Sequence, residues 1–179
     1  MLILDIILSL VGLVLFFPLI FFVYILNLMI YGSPLFFQKR VGLNLKIFTL
    51  IKFRTMKIGT RNAATHLIDN KSITVFGKFL RILKIDELPQ LWNVLIGDMS
   101  IVGPHPCLAT QKKLINERNK RGVFKIKPGI TGLAQIKGIT MSNPILLAKT
   151  DFQMIKKISL MNYFCYIFLT LSSIIKLKL

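Results

Sequence analysis

The first feature of the chain is an uninterrupted apolar segment. Residues 6–37 carry no formal charge, and at about 1.5 Å per residue a helix of this length can cross a hydrocarbon core of roughly 30 Å. Pro18 lies in its middle, where a proline removes a backbone hydrogen bond and bends a helix. The pattern predicts a membrane helix over residues 1–37, either kinked and spanning or re-entrant with both legs on one face. The basic residues between positions 39 and 46 place its downstream end in the cytosol in either form.

The pattern then becomes that of a hairpin followed by a loop. Between Gly42 and Lys57 apolar and basic residues alternate loosely, with Asn44 as the central turn residue. From Thr60 to Ser72 the chain is polar and has no periodicity, which predicts a loop.

A helical period returns from Val75 to Lys84. At about 100° per residue the basic and apolar side chains separate onto two faces, the apolar face comprising Phe76, Phe79, Leu80, Ile82 and Leu83. Such a helix either covers a core or lies in a membrane interface, and both alternatives stay open.

Three further segments complete the pattern. A second basic helix is predicted from Leu108 to Arg121, with charges that fit a solvated face. Pro128 to Gly138 predicts a turn followed by a short strand. From Ile158 to Ile175 the chain is uncharged but interrupted by polar residues, which favours an interfacial helix, with a spanning helix as the alternative. The chain thus divides into residues 1–37, 38–157 and 158–179.

Composition strengthens the membrane interpretation and adds an anionic ligand. The 179 residues are 54% hydrophobic and 17% charged, with a formal net charge of +17. Nucleic acid, anionic lipid headgroups and phosphorylated metabolites are the candidate partners of such a surface. Cys107 and Cys165 are too few for a disulfide framework or a zinc cluster and fit a reducing compartment. No positive region precedes the apolar start and no A-x-A-like site follows it, so we expect the segment to stay on the protein.

Asp86 and Glu87 are adjacent, although the chain has only 7 acidic residues against 24 Lys and Arg. Pro89 suits the first position of a helix that Gly97 would end, so the pair lies just before a helix N-terminus. Acidic residues there often do no more than cap the helix. A carboxylate kept ionised at such a terminus can also act as a nucleophile or metal ligand, while free N–H groups and Arg81 receive a phosphate. Hard oxygen ligands without a His or Cys cluster favour Mg²⁺ over zinc.

Four motifs then carry a resemblance. SPLFFQKRVG, KFRTM, FLRILKIDELPQLWNVLIGDMSIVGPHP and KPGITGLAQIKG occur in the order found in the monotopic phosphoglycosyl transferases, the bacterial sugar transferases. The chain resembles that family from Asp5 to about Lys157. The resemblance implies an α+β monotopic membrane protein with a re-entrant N-terminal helix, interfacial amphipathic helices, a small β-hairpin and a cytosolic catalytic domain over residues 38–157. It also implies a location on the cytosolic face of the bacterial cytoplasmic membrane.

The resemblance further implies a reaction. Related family members move a sugar 1-phosphate from a UDP-sugar to undecaprenyl phosphate, the first membrane step in making capsule, O-antigen or glycoprotein glycans. The implied partners are the UDP-sugar, undecaprenyl phosphate, membrane lipid and downstream glycosyltransferases, and no nucleic acid.

Roles for individual residues follow from the same resemblance. Asp86 would attack the β-phosphorus of the donor, and Mg²⁺ near Asp86 would neutralise the diphosphate. Glu87 would assist the second step or position groups around the metal, and Arg81 would bind a phosphate. Further substrate contacts are expected from Lys52, Arg54, Gly103, Pro104, His105, Gln135 and Lys137.

Several positions depart from the family pattern. In the membrane segment Phe17 replaces the serine expected before Pro18, and no basic pair precedes Asp5, which leaves the N-terminus less firmly held. His105 replaces an arginine and should be charged only part of the time near neutral pH. Ile139 replaces another arginine, for which Lys137 is the nearest substitute, without its bidentate fork. An acidic residue shortly after KFRTM is missing, and Ile58, Gly59 and Thr60 stand there.

Two alternatives stay open beside the enzyme. A membrane-anchored basic adaptor that binds anionic lipid or nucleic acid would explain charge and apolar content, but it leaves the ordered motifs unexplained, and no nucleic-acid fold signature is present. A family member that has lost turnover would explain His105 and Ile139.

Overall fold

The computed structural model describes residues 2–60 and 72–176, so the loop predicted from Thr60 to Ser72 lies almost wholly outside the described residues. Within those ranges the fold is a mixture of helices and two small sheets, which confirms the α+β class. The helices are α1 Leu2–Tyr31, α2 Val75–Ile82, α3 Gln90–Leu95, α4 Lys112–Lys120, α5 Leu133–Ile136, α6 Pro144–Lys156 and α7 Leu160–Lys176. The strands are β1 Leu35–Val41, β2 Ile47–Phe53, β3 Ser100–Val102 and β4 Gly129–Thr131.

Helix α1 ends six residues before Phe37, where the apolar pattern had placed the end of the membrane segment. Gly32 has a φ of 67°, and its N–H donates to Leu28 O at 2.8 Å, which closes the helix with a left-handed residue. The apolar residues that follow begin β1 instead. Helix and strand cannot be told apart in an uncharged run by composition alone, so the prediction was wrong at this boundary.

One side of α1 lies along the rest of the protein and the remainder is uncovered. Within the described residues it is the single helix long and apolar enough to cross a membrane, and 11% of its most apolar 18-residue window is buried. Gly12 lets the helix approach α3, since a Cβ at that position would lie 3.1 Å from Leu91 Cδ1. Further along, Val23 packs with Phe53 and Leu80. The helix therefore presents most of its apolar surface outward, as a membrane-associated helix does.

The N-terminal end of α1 is fixed by hydrogen bonds to the buried Asp5 carboxylate. The residues that share these bonds, which we call the Asp5 cluster, are Asp5, Ser100, Ile101 and Tyr163. The Asp5 carboxylate accepts from Ser100 Oγ at 2.8 Å, from the Ile101 N–H at 3.0 Å and from the Tyr163 hydroxyl at 2.7 Å. Asp5 is 3% exposed. Donors from β3 and α7 therefore attach this end of α1 to the rest of the protein, while the expectation that the missing basic pair weakens its hold on the cytosolic side stays a prediction.

The hairpin is confirmed, but its first strand lies earlier than predicted. β1 and β2 are antiparallel, with Gln38 opposite Leu50 and Arg40 opposite Phe48. The turn between them contains Asn44 with a φ of 51°, a left-handed conformation that asparagine tolerates. The predicted turn residue was therefore correct, while the first three residues of the strand before it, residues 35–37, had been assigned to the membrane segment.

The second sheet joins segments that are distant in sequence. β3 and β4 are parallel, pairing Ser100 with Gly129 and Val102 with Thr131. A one-turn helix, α5, follows β4, so the prediction of a turn before a single strand from 128 to 138 was wrong in its second half. Three-residue strands are too short to show a period, so sequence could not separate them from turns.

The basic helices differ in how their faces are used. α2 has the predicted extent within two residues, and Thr74 caps it by accepting from the Gly77 N–H at 3.0 Å. α4 begins at Lys112, later than predicted. Its charges are not all solvated, because Arg118 is 2% exposed and its Nε donates to Asp151 Oδ2 of α6 at 2.9 Å.

Helix α7 packs one side against the body of the protein. Tyr163 and Tyr166 are buried with Val102 and Met154. On the other side Met161, Phe164 and Phe168 are exposed. This two-faced burial is typical of an interfacial helix.

Candidate active site

The carboxylate pair lies in a short 3₁₀ turn, Ile85–Glu87, directly before α3. Lys84 precedes the turn in the left-handed region with a φ of 58°, which reverses the chain after α2. Asp86 is 7% exposed, and Glu87 is also largely enclosed. The pair thus lies on the approach to a helix, as predicted, with an additional turn between it and the helix.

Cations surround the pair, and the pKa values of its two carboxyl groups differ. Burial raises the pKa of Asp86 to about 6, with the adjacent Glu87 adding to the rise, although Lys52, Arg81 and Lys84 oppose it. Burial also acts to raise the pKa of Glu87, but Lys52 and Lys84 outweigh it and leave that pKa at about 2. Lys52 Nζ lies 2.9 Å from Glu87 Oε1. Burial thus works against ionisation of Asp86, while Lys52, Arg81 and Lys84 favour it.

Arg81 is held in an orientation that leaves its fork for a ligand. Its Nε donates to Thr55 Oγ1 at 2.9 Å. Among the described residues the two terminal nitrogens make no hydrogen bond, and Asp86 and Glu87 are close enough to influence the pKa of Arg81. A guanidinium fixed through Nε presents two parallel N–H donors, the geometry that a phosphate accepts.

Arg81→Ala is expected to lower kcat/KM by about ten- to a hundredfold, because a hydrogen bond to a charged group contributes roughly 1.5 to 3 kcal/mol. Lys78→Ala is the matched control on the same helix, since Lys78 is exposed and should contribute only weak surface attraction. The measurement is the release of UMP, in membranes, from the UDP-sugar donor that the family resemblance implies. Equal losses in the two variants would mean that α2 supplies only a general positive surface.

The loop around His105 forms the next wall of the site. Gly103 N–H donates to Thr131 O at 2.8 Å, and Pro104 O accepts from Gly129 N–H at 3.0 Å. Two buried arginines hold the backbone beyond it: Arg118 donates to His105 O at 2.9 Å, and Arg40 donates to Pro106 O at 2.9 Å. The predicted residues Gly103, Pro104 and His105 therefore belong to one rigid loop.

His105 is held neutral. Its pKa is lowered to about 3, chiefly by burial and also by Lys52 and Arg40, although Glu87 acts in the opposite direction. Gln135 Nε2 donates to Ile130 O at 2.7 Å and lies 3.0 Å from His105 Nδ1. Ile130 O accepts a hydrogen bond, so the Gln135 amide atom that faces it is the nitrogen. This nitrogen also donates to His105 Nδ1, and the proton of the neutral His105 ring is therefore on Nε2 of His105. The expectation of a partly charged His105 was wrong: the residue is a neutral donor.

Two predicted substrate residues are engaged or placed elsewhere. The Arg54 guanidinium donates to Ser33 O at 2.9 Å and to Leu35 O at 3.2 Å, which ties the start of the hairpin to the chain that leaves α1. Lys137 is exposed at the end of α5. Arg54 therefore has a structural role here, and the structure gives Lys137 no contact with the carboxylate pair.

Sequence analysis missed Lys84 as part of the site. It had appeared only as one charge on the basic face of α2, whereas its left-handed backbone turns it toward the pair and His105. A lysine with positive φ has no sequence signature, since only glycine, asparagine and aspartate are enriched there.

Uncovered apolar side chains border the site. The apolar face predicted for α2 is divided: Leu80 is buried in the core, while Phe79 and Ile82 are exposed. Trp92 and Ile96 of α3 are exposed as well. Apolar surface beside a carboxylate pair ringed by cations is what a membrane-associated protein that handles anionic groups requires.

Comparison with known families makes this class specific. The chain belongs to the bacterial sugar transferase family, whose family model matches residues 1–177.

Individual relatives agree with the family. The chain is 51% identical over 108 residues to the uncharacterised sugar transferase EpsL of Bacillus subtilis (strain 168), covering 60% of this chain and 53% of that protein. It is 39% identical over 160 residues to the galactosyl transferase CpsE of Streptococcus agalactiae serotype III (strain NEM316), covering 80% and 35%. It is 44% identical over 122 residues to a UDP-glucose:undecaprenyl-phosphate glucose-1-phosphate transferase of Xanthomonas campestris pv. campestris, covering 64% and 25%. The aligned part of the chain thus spans about half or less of each of these relatives.

Proposed function

We propose that the protein is a phosphoglycosyl transferase that moves a sugar 1-phosphate from a UDP-sugar to undecaprenyl phosphate at the cytosolic face of the membrane. The observation that carries the proposal is the buried Asp86–Glu87 pair, ringed by Lys52, Arg81 and Lys84 and bordered by exposed apolar side chains. A soluble diphosphate donor and a lipid phosphate acceptor would meet at such a place. Family membership and the names of the relatives support the same reaction.

The proposed reaction has two displacements at one phosphorus. In the first, an Asp86 carboxylate oxygen attacks the β-phosphorus, the bond from that phosphorus to the bridging oxygen breaks, and UMP leaves. In the second, an oxygen of undecaprenyl phosphate attacks the same phosphorus, and the bond to Asp86 breaks to regenerate the carboxylate. Arg81 holds phosphate oxygens through its free fork. Lys52 and Lys84 offset the negative charge that gathers at the site.

The acidic residues fit a magnesium ion that completes its shell from substrate. Among the described residues no group of three or more His, Cys, Asp or Glu could form a full protein cage. Mg²⁺ commonly uses one or two carboxylates together with substrate phosphates and water. Asp86 would be its protein ligand, because Lys52 already occupies Glu87 Oε1. When bound, the ion supplies neutralisation of the diphosphate charge.

The test is UMP release from a panel of UDP-sugars by the purified protein in nanodiscs that contain undecaprenyl phosphate. UDP-glucose and UDP-galactose come first, because relatives are named for these sugars. We expect release with at least one donor, dependent on added Mg²⁺ and stopped by excess EDTA. Turnover that is undiminished in EDTA would remove the metal from the proposal. No release with any donor would instead favour a family member without turnover or a membrane adaptor.

The proposal includes a re-entrant α1. Its first leg binds β3 through Asp5, and its second leg binds the end of the hairpin, where Asn27 Nδ2 donates to Pro34 O and Arg54 O at 3.0 Å each. Both anchoring points belong to the part of the protein that carries the carboxylate pair, which we call the catalytic layer. A helix that crossed the bilayer would carry one of them away from that layer, so this double attachment supports a helix that enters and leaves one leaflet, with Pro18 at the bend.

Leu2→Cys, in a background where Cys107 and Cys165 are replaced by alanine, is expected to stay unlabelled by a membrane-impermeant thiol reagent in intact cells and to react after lysis. The reason is that Asp5 fixes this end of α1 on the cytosolic side. Lys137→Cys in the same background is the matched cytosolic control, because Lys137 is exposed on the catalytic layer. Labelling of position 2 before lysis, at the level of a periplasmic cysteine standard, would mean that α1 spans the membrane.

A further inference from the structure

Gln90 is a buried amide whose hydrogen-bonding groups are unused. The side chain is 0% exposed. Within the described part of the chain neither Nε2 nor Oε1 has a hydrogen-bond partner. A buried amide without partners destabilises a fold, so a purely structural position of this kind would favour an apolar residue of the same size.

The position of Gln90 connects it with the carboxylate pair. Residues 85–95 follow a continuous helical path, with Leu88 N–H donating to Ile85 O at 3.1 Å and Leu91 N–H donating to Leu88 O at 3.0 Å. Gln90 therefore lies about one turn beyond Asp86. Glutamine and aspartate side chains four positions apart are neighbours on an α-helix, but here Asp86 lies in the 3₁₀ turn, and within the described part of the chain no hydrogen bond joins the two.

The two flanking residues face the same strand. Asn93, three residues after Gln90, accepts from the Ile51 N–H at 3.0 Å and donates to Thr49 O at 2.8 Å. Asp86 on the other side is influenced by Lys52 of the same strand. Gln90 thus lies, along the chain, between Asn93, which is bonded to β2, and Asp86, which is influenced by Lys52 of β2, and it is buried.

The Asp86 carboxylate likewise lacks a hydrogen-bond partner among the described residues, although the side chain is 7% exposed. A nucleophilic carboxylate must turn one oxygen to the phosphorus, and a carboxylate without a bonded partner can rotate.

We infer that Gln90 is the positioning residue for Asp86: its Nε2, unpartnered among the described residues, donates in the donor complex to the carboxylate oxygen that does not attack, and so aims the other oxygen at the β-phosphorus. This rests on the proposed function. The same donor bonds the carbonyl oxygen of the phosphorylated Asp86, and it stabilises the carboxylate that is released when the lipid phosphate displaces it. Gln90 acts through Asp86 and does not touch the sugar nucleotide, so donor affinity does not depend on it.

The test is Gln90→Leu, with Gln90→Met as a second variant of similar volume, assayed for UMP release from UDP-glucose and for thermal midpoint. We expect kcat to fall by about ten- to a hundredfold, because a hydrogen bond to a charged group is lost. KM for the donor stays close to that of the wild type, and the thermal midpoint is equal or higher, because the unpartnered amide is gone. Asn93→Leu is the matched control: it removes an amide with two bonds to β2 and should lower the thermal midpoint.

Each other result decides against the inference. Wild-type kcat in Gln90→Leu would make Gln90 a packing residue, and loss of folded protein in both variants would assign it to the fold. If UDP-glucose is not the donor, the assay uses the sugar that the wild-type protein cleaves. If the wild-type protein cleaves no donor, the proposed function fails, and the inference that rests on it fails as well. Normal cleavage by the wild-type protein together with wild-type kcat in Gln90→Leu would overturn the inference alone.

Discussion

Asp86→Asn abolishes UMP release, with an expected loss of at least about a thousandfold in kcat. An amide cannot form the acyl phosphate that the proposed reaction needs, while its shape fills the same buried space. The assay is single-turnover release of UMP from the donor that the wild-type protein accepts. Folding should not suffer: burial raises the pKa of Asp86 to about 6, so ionisation of this group destabilises the folded state at neutral pH, and the amide removes that charge.

Glu87→Gln is the matched variant for this experiment. Glu87 keeps a low pKa beside Lys52, and by the family resemblance it would assist the second displacement or position groups around the metal. Overall transfer should slow in this variant while some donor cleavage remains. An Asp86→Asn protein with a normal thermal midpoint and substantial UMP release would end the assignment of Asp86 as the nucleophile.

Gly129→Ala is expected to give little or no folded protein, a destabilisation of more than about 3 kcal/mol. A Cβ at this position would lie 2.0 Å from Gly103 N and 2.5 Å from Gly103 Cα. Both are backbone atoms of the loop that carries His105, so no side-chain rotation can relieve the overlap. The pairing of β3 with β4 would have to separate.

Gly138→Ala provides the comparison for this variant. A Cβ there meets nothing within 4 Å, and its φ of 66° costs only about 1 kcal/mol for alanine. Thermal midpoints in one detergent measure both variants. A Gly129→Ala protein as stable as Gly138→Ala would show that the two strands are not packed backbone to backbone.

The parts of the fold that sequence predicted are those with local causes. Thr74 caps α2, Asn44 accepts the left-handed turn of the hairpin, and Gly97, with a φ of 89°, ends the helix after the carboxylate pair. Each of these depends on residues within a few positions of one another, so the pattern and the turn chemistry were sufficient. The carboxylate pair itself was found because it is rare in so basic a chain.

The parts that sequence missed depend on contacts between distant segments. Arg118 looked like a solvated charge until Asp151 was found beside it, 33 positions away. Asp5 is buried among donors from β3 and α7, which no local pattern around it indicates. The parallel pairing of β3 and β4 depends on two glycines whose closeness no local pattern records. The position of Lys84 in the site depends on a backbone conformation that lysine rarely adopts.

The Asp5 cluster also bears on how the protein is made. Its donors are separated from Asp5 by 95 positions for Ser100 and by 158 for Tyr163. During synthesis α1 therefore leaves the ribosome before Ser100 and Tyr163 have been added to the chain. Until then the Asp5 carboxylate lacks these two hydrogen-bond donors. Contacts of such high sequence separation form late in folding. Asp5 is thus synthesised well before the residues that bind it, and its hydrogen bonds can be complete only after Tyr163 has been added to the chain.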